Sequence, residues 1–242
     1  MKRTSEKKLH KELAMKNEFI CVASHELKTP LTALMLQVEM AKKFMDAHGI
    51  EAISPKKMQT LINRTHQDVL RLSRLVDDMM DVSRIHSGKF SMNYEFFNLE
   101  DYMEELKNRI TSDKIRWNVN APILVKWDRF RIEQVIINLI SNAERHAKNS
   151  DIDISVGIGG AHVYISVQDY GPGISPEIHE KIFERFERGE ENTSEGFGIG
   201  LYICNEIVKH HKGKISIESH PGKGANFMLQ IPISTALQES YQ

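Results

Sequence analysis

The chain has 242 residues, which is long enough for one large domain or two domains of ordinary size. Its 32 Lys and Arg residues balance 33 Asp and Glu residues, so the composition lacks the basic excess of most nucleic-acid-binding proteins. No apolar run approaches the roughly 20 residues that a membrane-spanning helix needs, and no secretory signal opens the chain, so we expect no membrane contact by this part of the protein.

The two cysteines indicate a reducing compartment. Cys21 and Cys204 lie far apart in the sequence, without the spacing of a metal site, and nothing pairs them as a disulfide framework. We therefore expect a cytoplasmic location, either as a free protein or as the cytoplasmic part of a membrane-anchored one.

Two long amphipathic helices are predicted first, over residues 5–46 and 55–86. From Leu9 to Met45, apolar or small residues recur at intervals of three, four and seven, which is typical of coiled coils and helix bundles. The Ser-Pro pair that opens the second helix supplies its N-cap and its first-turn proline. A lone two-helix hairpin buries too little apolar surface, so we predict a homodimer that forms a four-helix bundle. Packing of the hairpin against a second domain is the alternative.

Beyond a predicted linker at residues 88–98, the pattern changes to short segments rich in Val and Ile. The predicted strands cover residues 115–119, 123–126, 151–158, 162–168, 214–219 and 225–233. The predicted helices cover residues 99–111, 128–147, 175–187 and 199–211. Because strands and helices do not alternate strictly, we predict an α+β sandwich with helices layered on one sheet. The predicted domains are therefore residues 1–90 and 91–242.

Within the first helix, His25 is the most informative residue. It lies two positions before Leu27 of the apolar stripe, roughly 200° around the helix, so its side chain is expected to face water. Thr29 shares its face, Glu26 adjoins it, and Pro30 is expected to kink the helix. An exposed imidazole beside a carboxylate suits a nucleophile that a partner must reach, although a lone exposed histidine is more often an ordinary surface residue.

A polar cluster lies in the predicted helix at residues 128–147. Asn138, Asn142 and either Arg145 or His146 share one face of this helix. Amide oxygens can bind a hard cation and a guanidinium can bind phosphate, so this face suits Mg²⁺ and a phosphate group. A solvated polar face is the alternative.

A second cluster, Asp169 to Gly173, follows a predicted strand. The Asp169 carboxylate can accept a hydrogen bond from an exocyclic amine, and Gly171 and Gly173 allow the backbone to approach a flat ring. Alone, this pattern is weak, because Asp and Gly commonly form simple turns.

The third cluster is the glycine-rich segment before the last predicted helix. Gly196, Gly198 and Gly200 precede Leu201, and glycines at a helix N-terminus let backbone N–H groups point at phosphate. The polar stretch before them is typical of a mobile lid, and a plain flexible loop is the alternative. A final glycine pair at residues 222–225 also fits a hairpin turn.

In this order, these segments resemble the sensor histidine kinases of two-component signalling, over roughly residues 5–234. Each sequence box of that family is weak alone, and the resemblance depends on their order and spacing. The boxes are the H box at residues 19–32, the N box at 138–146, the G1 box at 169–173, the F box at 182–186, the G2 box at 196–201 and the last glycine pair at 222–225.

The resemblance implies a dimerisation and histidine-phosphotransfer hairpin followed by a Bergerat-type ATP-binding domain. His25 would then accept the γ-phosphoryl group of ATP and pass it to an aspartate of a response regulator. Glu26 would orient the His25 ring, and Thr29 would help to dephosphorylate the regulator. Phosphoryl transfer needs in-line geometry and charge stabilisation more than covalent help, which is consistent with these residue types.

The resemblance also implies the residues that bind Mg²⁺ and ATP. Asn142 would ligate Mg²⁺ with support from Asn138, Arg145 would contact phosphate, and Asp169 would bind the adenine amine. Other residues would shape the nucleotide pocket and its lid, namely His146, Gly171, Gly173, Gly196, Gly198, Gly200 and Leu201.

The sequence departs from the family pattern at four positions. Arg145 stands where lysine is commoner, His146 where an aromatic ring is usual, Ala147 where Thr is usual, and Phe197 where a small polar residue is usual. The charge at position 145 is kept, whereas the other three changes alter contacts around the base and the lid. No residue with a named chemical role is lost.

Two other functions remain open at this stage. An ATP hydrolase related to gyrase or the mismatch-repair ATPases would place a glutamate where this chain has Asn138, and an amide cannot act as a general base. A non-catalytic dimer that uses nucleotide only to switch a docking surface is the second alternative. The presence of His25, Asn142 and Asp169 counts against it.

Overall fold

The structure of the protein is a computed structural model that describes residues 2–49, 53–147, 150–187 and 198–233, with side chains from residue 20 onward. The chain forms two compact units, which divide between Ser83 and Arg84. The domain boundary predicted at residue 90 stays a prediction. Within the described residues, no helix combines the length and the apolar composition needed to cross a membrane.

The first unit is the predicted helical hairpin. Helix α1 spans Lys2–His48 and continues through Pro30, and helix α2 spans Pro55–His86. The Gln37 side-chain amide donates to Asp68 Oδ2 at 2.9 Å and joins the two helices. Large apolar side chains are exposed along both helices, including Ile20, Leu31, Met35, Leu36, Val38, Met40, Ile62, Val69, Leu70, Val76 and Met80. Apolar surface of this extent is typical of an interaction surface.

The second unit is built on a five-stranded sheet with strand order β2-β4-β5-β7-β6. Strands β2 and β4 are parallel, and the other neighbours are antiparallel. A separate two-stranded sheet pairs β1 with β3. The strands are β1 Glu95–Asn98, β2 Ile115–Asn120, β3 Leu124–Trp127, β4 Ile152–Gly159, β5 His162–Asp169, β6 Lys214–Ser219 and β7 Ala225–Pro232. The helices are α3 Leu99–Arg109, α4 Arg129–His146 and α5 Gly200–His210.

The core of the second unit follows from the sequence periodicity. In β4, β5 and β7, buried side chains alternate with partly exposed ones, which is the pattern of a sheet covered on one face. Helix α4 buries an apolar stripe that includes Ile132, Ile136 and Leu139, and α5 buries Ile203 and Ile207. The predicted fold class is therefore confirmed, as a helical hairpin followed by an α+β domain.

Two sequence predictions about local structure are wrong. The helix predicted at residues 175–187 is replaced by two 3₁₀ turns, Pro176–Ile178 and Lys181–Phe183. Phe186 has a φ of 65°, which no α-helix accommodates, and Ile182 is buried by tertiary packing. The predicted linker at 88–98 contains strand β1, which its pairing with the distant β3 stabilises.

Candidate functional site

His25 lies in solvent, as its spacing from Leu27 predicts. Its side chain is 80% exposed, and its Nδ1 lies 3.7 Å from Oε1 of the Glu26 carboxylate, whose side chain is 17% exposed. The Thr29 hydroxyl donates to the His25 backbone carbonyl at 3.2 Å. Because Glu26 faces Nδ1, the other ring nitrogen, Nε2, is the one turned away from the carboxylate.

In the second unit, Asp169 is the last residue of β5 and is only 6% exposed. Its Oδ1 accepts hydrogen bonds from the backbone N–H of Gly171 at 2.9 Å and of Ala225 at 3.3 Å. Among the described residues, no group donates to Oδ2. One carboxylate oxygen is therefore fixed by the protein, and the other is left to accept a hydrogen bond from a ligand.

The environment of Asp169 moves its pKa upward. Burial raises the pKa of the carboxyl, and the N–H groups of Gly171 and Ala225 and the charge of His146 partly oppose that rise. The influence of His146 also indicates that the C-terminal end of α4 lies close to the end of β5. A buried carboxylate with a perturbed pKa beside a polar helix end is typical of a functional site.

Two glycines allow the loop after β5 to approach the β6–β7 hairpin. Gly173 has a φ of +74°, and a Cβ there would lie 2.0 Å from the His220 carbonyl oxygen. Gly224 has a φ of +75°, and a Cβ there would lie 2.0 Å from the Asp169 carbonyl oxygen. Both distances are far below contact, so no side chain is tolerated at either position.

Hydrogen bonds fasten the same loop to the same hairpin. The Ser219 hydroxyl accepts from the Ile174 N–H at 2.8 Å and donates to the Gly224 carbonyl at 2.6 Å. The Gly222 N–H donates to the Pro172 carbonyl at 2.6 Å. The segment 169–174 and the hairpin therefore form one rigid support for the Asp169 carboxylate.

Helix α4 carries the predicted polar face. Asn138 and Asn142 are half-buried, one turn apart, whereas Arg145 and His146 are exposed in the last turn. The Asn138 Nδ2 is buried and, among the described residues, has no hydrogen-bond partner. The Asn138 amide faces the start of α5, since a Cβ on Gly200 would lie 3.8 Å from its Cγ. A buried N–H donor without a partner fits a site that an acceptor oxygen of a ligand completes.

The N-terminus of α5 is the predicted phosphate-binding segment. Ile199 occupies the N-cap position, and among the described residues no side chain caps the helix there. Gly198 has a φ of +63°, and a Cβ there would lie 2.6 Å from the Glu187 carbonyl oxygen. Leu201 is half-buried in the first turn, and the predicted Gly196 lies outside the described residues.

The F-box aromatics lie in the second unit. The half-buried Phe183 ring meets Phe227 edge-on, with ring centroids 6.4 Å apart. The Phe186 N–H donates to the carbonyl of Gly198, a G2-box residue, at 3.0 Å.

Sequence reasoning missed the residues that support the site from a distance. Asp128 is buried and caps α4, because its Oδ1 accepts from the Arg131 N–H at 3.0 Å. His211 is buried after α5 and accepts the Asp128 N–H on its Nε2 at 2.9 Å. An Asp before an amphipathic run is a recognisable N-cap signal, whereas nothing local marks His211 as its partner.

Two family models match the chain. The model of the "His Kinase A (phospho-acceptor) domain" matches residues 15–88. The model of the "Histidine kinase-, DNA gyrase B-, and HSP90-like ATPase" matches residues 127–235. The first covers α2 and most of α1, and the second covers the strands and helices that surround Asp169.

Two curated relatives are sensor proteins. The chain is 34% identical over 228 residues to sensor protein KdpD of Escherichia coli, which is 92% of this chain and 25% of KdpD. It is 31% identical over 230 residues to the alginate biosynthesis sensor protein KinB of Pseudomonas aeruginosa, which is 90% of this chain and 37% of KinB. The chain therefore spans much less than half the length of these relatives.

Solved histidine kinase structures have the same fold. Histidine kinase AdeS of Acinetobacter baumannii superposes with a TM-score of 0.63 and 26% identity, over 87% of this chain and 98% of AdeS. Histidine kinase ThkA, solved in complex with the response regulator protein TrrA, superposes with a TM-score of 0.62 and 27% identity, over 96% of this chain and 66% of that chain. The chain belongs to the sensor histidine kinases and carries their catalytic core.

Proposed function

We propose that the chain is an ATP-dependent protein histidine kinase that phosphorylates itself on His25 and passes the phosphoryl group to an aspartate of a response regulator. The observation that carries this proposal is the half-satisfied Asp169 carboxylate, buried at the end of β5 near the polar face of α4. That arrangement suits a purine nucleotide, and the 80% exposed His25 side chain suits an acceptor that the bound nucleotide must reach.

In this proposal, Asp169 Oδ2 accepts the exocyclic amine of adenine. Gly171 and Gly173 leave room for the flat ring beside the loop, and His146 flanks the pocket from α4. The phosphates lie at the first turn of α5, where uncapped N–H groups and the helix dipole favour negative charge. Gly196, Gly198, Gly200 and Leu201 shape this part of the pocket and its lid.

Mg²⁺ fits the amide face of α4. Asn142 would hold the ion through its amide oxygen, Asn138 would support it, and Arg145 would contact the phosphate. The unpaired Asn138 Nδ2 is consistent with a site that a ligand completes. The ion would neutralise part of the charge on the phosphate oxygens.

The acceptor chemistry follows from the His25 ring. Glu26 lies beside Nδ1, which favours the tautomer with the proton on Nδ1 and the lone pair on Nε2. Nε2 then attacks the γ-phosphorus in line, the new P–N bond forms, and the bond from the γ-phosphorus to the ADP oxygen breaks. The positive charge that develops on the ring is stabilised by the Glu26 carboxylate, which shares the Nδ1 proton.

Several features support the predicted partners. The exposed apolar side chains of α1 and α2 are consistent with a homodimeric four-helix bundle. The solved complex of the related ThkA with TrrA supports a response regulator as the phosphoryl acceptor. Thr29, one turn from His25 on the same face, would help dephosphorylate the regulator. In this proposal the chain acts in the cytoplasm, with no role for nucleic acid.

Incubation of the chain with γ-labelled ATP and Mg²⁺ separates the proposal from its alternatives. A kinase leaves acid-labile, base-stable label on the protein, and label that transfers to a receiver domain supports the second step. Release of free phosphate without labelled protein indicates a hydrolase instead. Nucleotide binding with neither label nor free phosphate indicates a non-catalytic switch, and either result would overturn the proposal.

A further inference from the structure

The segment that follows α2 packs against other residues of the second unit, to which it belongs. Phe90 is 8% exposed, and the Arg131 guanidinium lies 4.5 Å from the centre of its ring. The His210 ring meets Phe90 edge-on, with centroids 5.2 Å apart. Only residues 87–89 separate the end of α2 from this contact. We refer to residues 90–94 as the anchored segment.

Hydrogen bonds attach the anchored segment to the far ends of both site helices. The Asn93 N–H donates to Asp128 Oδ2 at 2.7 Å, at the start of α4. The Tyr94 hydroxyl donates to the His210 carbonyl at 2.7 Å, at the end of α5. The anchored segment therefore bridges α4, which carries the candidate magnesium-binding residues, and α5, which carries the candidate phosphate-binding N–H groups.

Asp128 and His211 join the same two helix ends directly. The Asp128 N–H donates to His211 Nε2 at 2.9 Å, and His211 Nδ1 lies 2.9 Å from the Ile207 carbonyl oxygen. Because Nε2 accepts, Nδ1 carries the proton and the ring is neutral. Burial lowers the pKa of His211, which favours this neutral form. Asp128 thus joins the cap of α4, the anchored segment and His211.

At the other end of the same pair of helices lies the candidate nucleotide site. A Cβ on Gly200 would touch the Asn138 amide at 3.8 Å, and Cys204 Sγ lies 3.9 Å from the Val135 carbonyl oxygen. Helices are stiff over this length, so a shift of α5 along α4 at the His211 end also moves the first turn of α5 past Asn138.

We infer that His211 is a positioning residue. It couples the contact of the anchored segment with Asp128 to the position of α5 along α4, and therefore to the geometry of the candidate nucleotide site. The inference rests on the proposed function. Coupling of two binding events is reciprocal, so nucleotide must stabilise the seated segment by the same factor by which the seated segment strengthens nucleotide binding.

The test uses the full chain and the affinity for a non-hydrolysable ATP analogue with Mg²⁺, which requires no chemistry at His25. His211→Gln keeps an acceptor near the position of Nε2, whereas His211→Leu removes it at similar volume. We expect His211→Leu to weaken binding by about fivefold or more and His211→Gln to stay within about twofold of the wild type. Equal affinity of His211→Leu and the wild type would overturn the inference, as would a His211→Gln variant that binds as weakly as His211→Leu.

Amide hydrogen exchange of Asn93 provides a readout that a purely structural role would not change. In the wild type and in His211→Gln, the analogue is expected to slow exchange of the Asn93 N–H, and in His211→Leu it is not. Unchanged Asn93 exchange in a wild type that binds the analogue would contradict the coupling.

Tyr94→Phe covers the case in which His211→Leu does not fold. It removes the bond to the His210 carbonyl and keeps the ring contact with His211, whose centroid lies 5.5 Å away. We expect weaker binding for Tyr94→Phe and no change for Tyr164→Phe on the sheet, and equal binding by both would overturn the inference. A wild type that binds no analogue would instead refute the proposed function.

Discussion

His25, the proposed phosphoacceptor, and Asp169, the proposed adenine ligand, are held in opposite ways. His25 is 80% exposed on a long helix, and its side chain has one carboxylate at 3.7 Å. Asp169 is 6% exposed, and two backbone N–H groups fix one of its carboxylate oxygens. Gly173 and Gly224 allow its loop and the β6–β7 hairpin to approach each other closely. In the proposed function, His25 must meet both a nucleotide and a partner protein, and its side chain is accessible. Asp169 must recognise one ring, and its carboxylate is fixed before that ring binds.

Among the substitutions near Asp169, we expect Gly224→Ala to have the largest effect. Gly224→Ala would place a methyl group 2.0 Å from the Asp169 carbonyl oxygen at a φ of +75°. We expect the free energy of unfolding to fall by about 3 kcal/mol or more, with loss of nucleotide binding. Thermal unfolding and nucleotide titration measure the two effects.

Gly222→Ala is the matched control for Gly224→Ala. Its φ is +78°, but a Cβ there meets nothing within 4 Å, so only the backbone strain of about 1 kcal/mol is expected. Equal losses in the two variants would show that the close approach to Asp169 is not what matters.

Removal of the amide at Asn142 tests the magnesium side of the pocket. Asn142→Ala is expected to reduce Mg²⁺-dependent labelling by about 100-fold or more, because the proposed amide-oxygen ligand of the ion is lost. Asn108→Ala, at the exposed end of α3, serves as the control. Labelling by Asn142→Ala at the wild-type rate would remove Asn142 from the metal site.

Asp169→Asn tests the free carboxylate oxygen. The amide can still accept from Gly171 and Ala225 through one oxygen, but it presents N–H groups where adenine needs an acceptor. We expect ATP affinity to fall about 10- to 100-fold, or roughly 1.4–2.7 kcal/mol, in an equilibrium titration. Asp113→Asn in the exposed turn before β2 should leave ATP affinity unchanged. An equal loss of affinity in Asp113→Asn would show that the effect comes from the change in net charge and not from the Asp169 site.

The raised pKa of Asp169 gives a pH dependence of definite sign. Burial places this pKa above its usual 3.8, so as the pH falls the folded protein takes up the proton before the unfolded chain does. Through this group, acid therefore stabilises the fold between 3.8 and the raised value while it weakens ATP binding. The ATP affinities of the wild type and Asp169→Asn, measured as a function of pH, should converge at the acidic end. Parallel curves would exclude protonation of Asp169 as the cause of the pH dependence.

Much of this arrangement could be predicted from local sequence, and the rest depends on distant contacts. Alternation gave the strands around Asp169, and helical spacing placed His25 in solvent. The N–H of Ala225 that fixes the carboxylate comes from a strand 56 residues away. Two 3₁₀ turns stand where a helix is predicted at 175–187, and the φ of 65° at Phe186 is incompatible with a helix there. No local pattern reports such contacts.

Thr29→Ala tests the surroundings of the exposed His25 and has the smallest expected effect. The Thr29 hydroxyl bonds only to the His25 carbonyl in the described structure, so its loss should leave the helix folded. We expect regulator dephosphorylation to slow by about fivefold, near 1 kcal/mol, with little change in labelling. Equal slowing of both reactions, or the same effect from Thr32→Ala one turn on, would argue against a specific role.

The most direct test of the central claim is the labelling of His25→Gln with γ-labelled ATP, with the ATP affinity measured in parallel. Because His25 and the nucleotide site lie on different compact units, we predict no protein label and wild-type ATP affinity. His66→Gln, which changes an exposed histidine of α2, should label as the wild type does. Acid-labile label on His25→Gln would contradict the assignment of His25 as the phosphoacceptor.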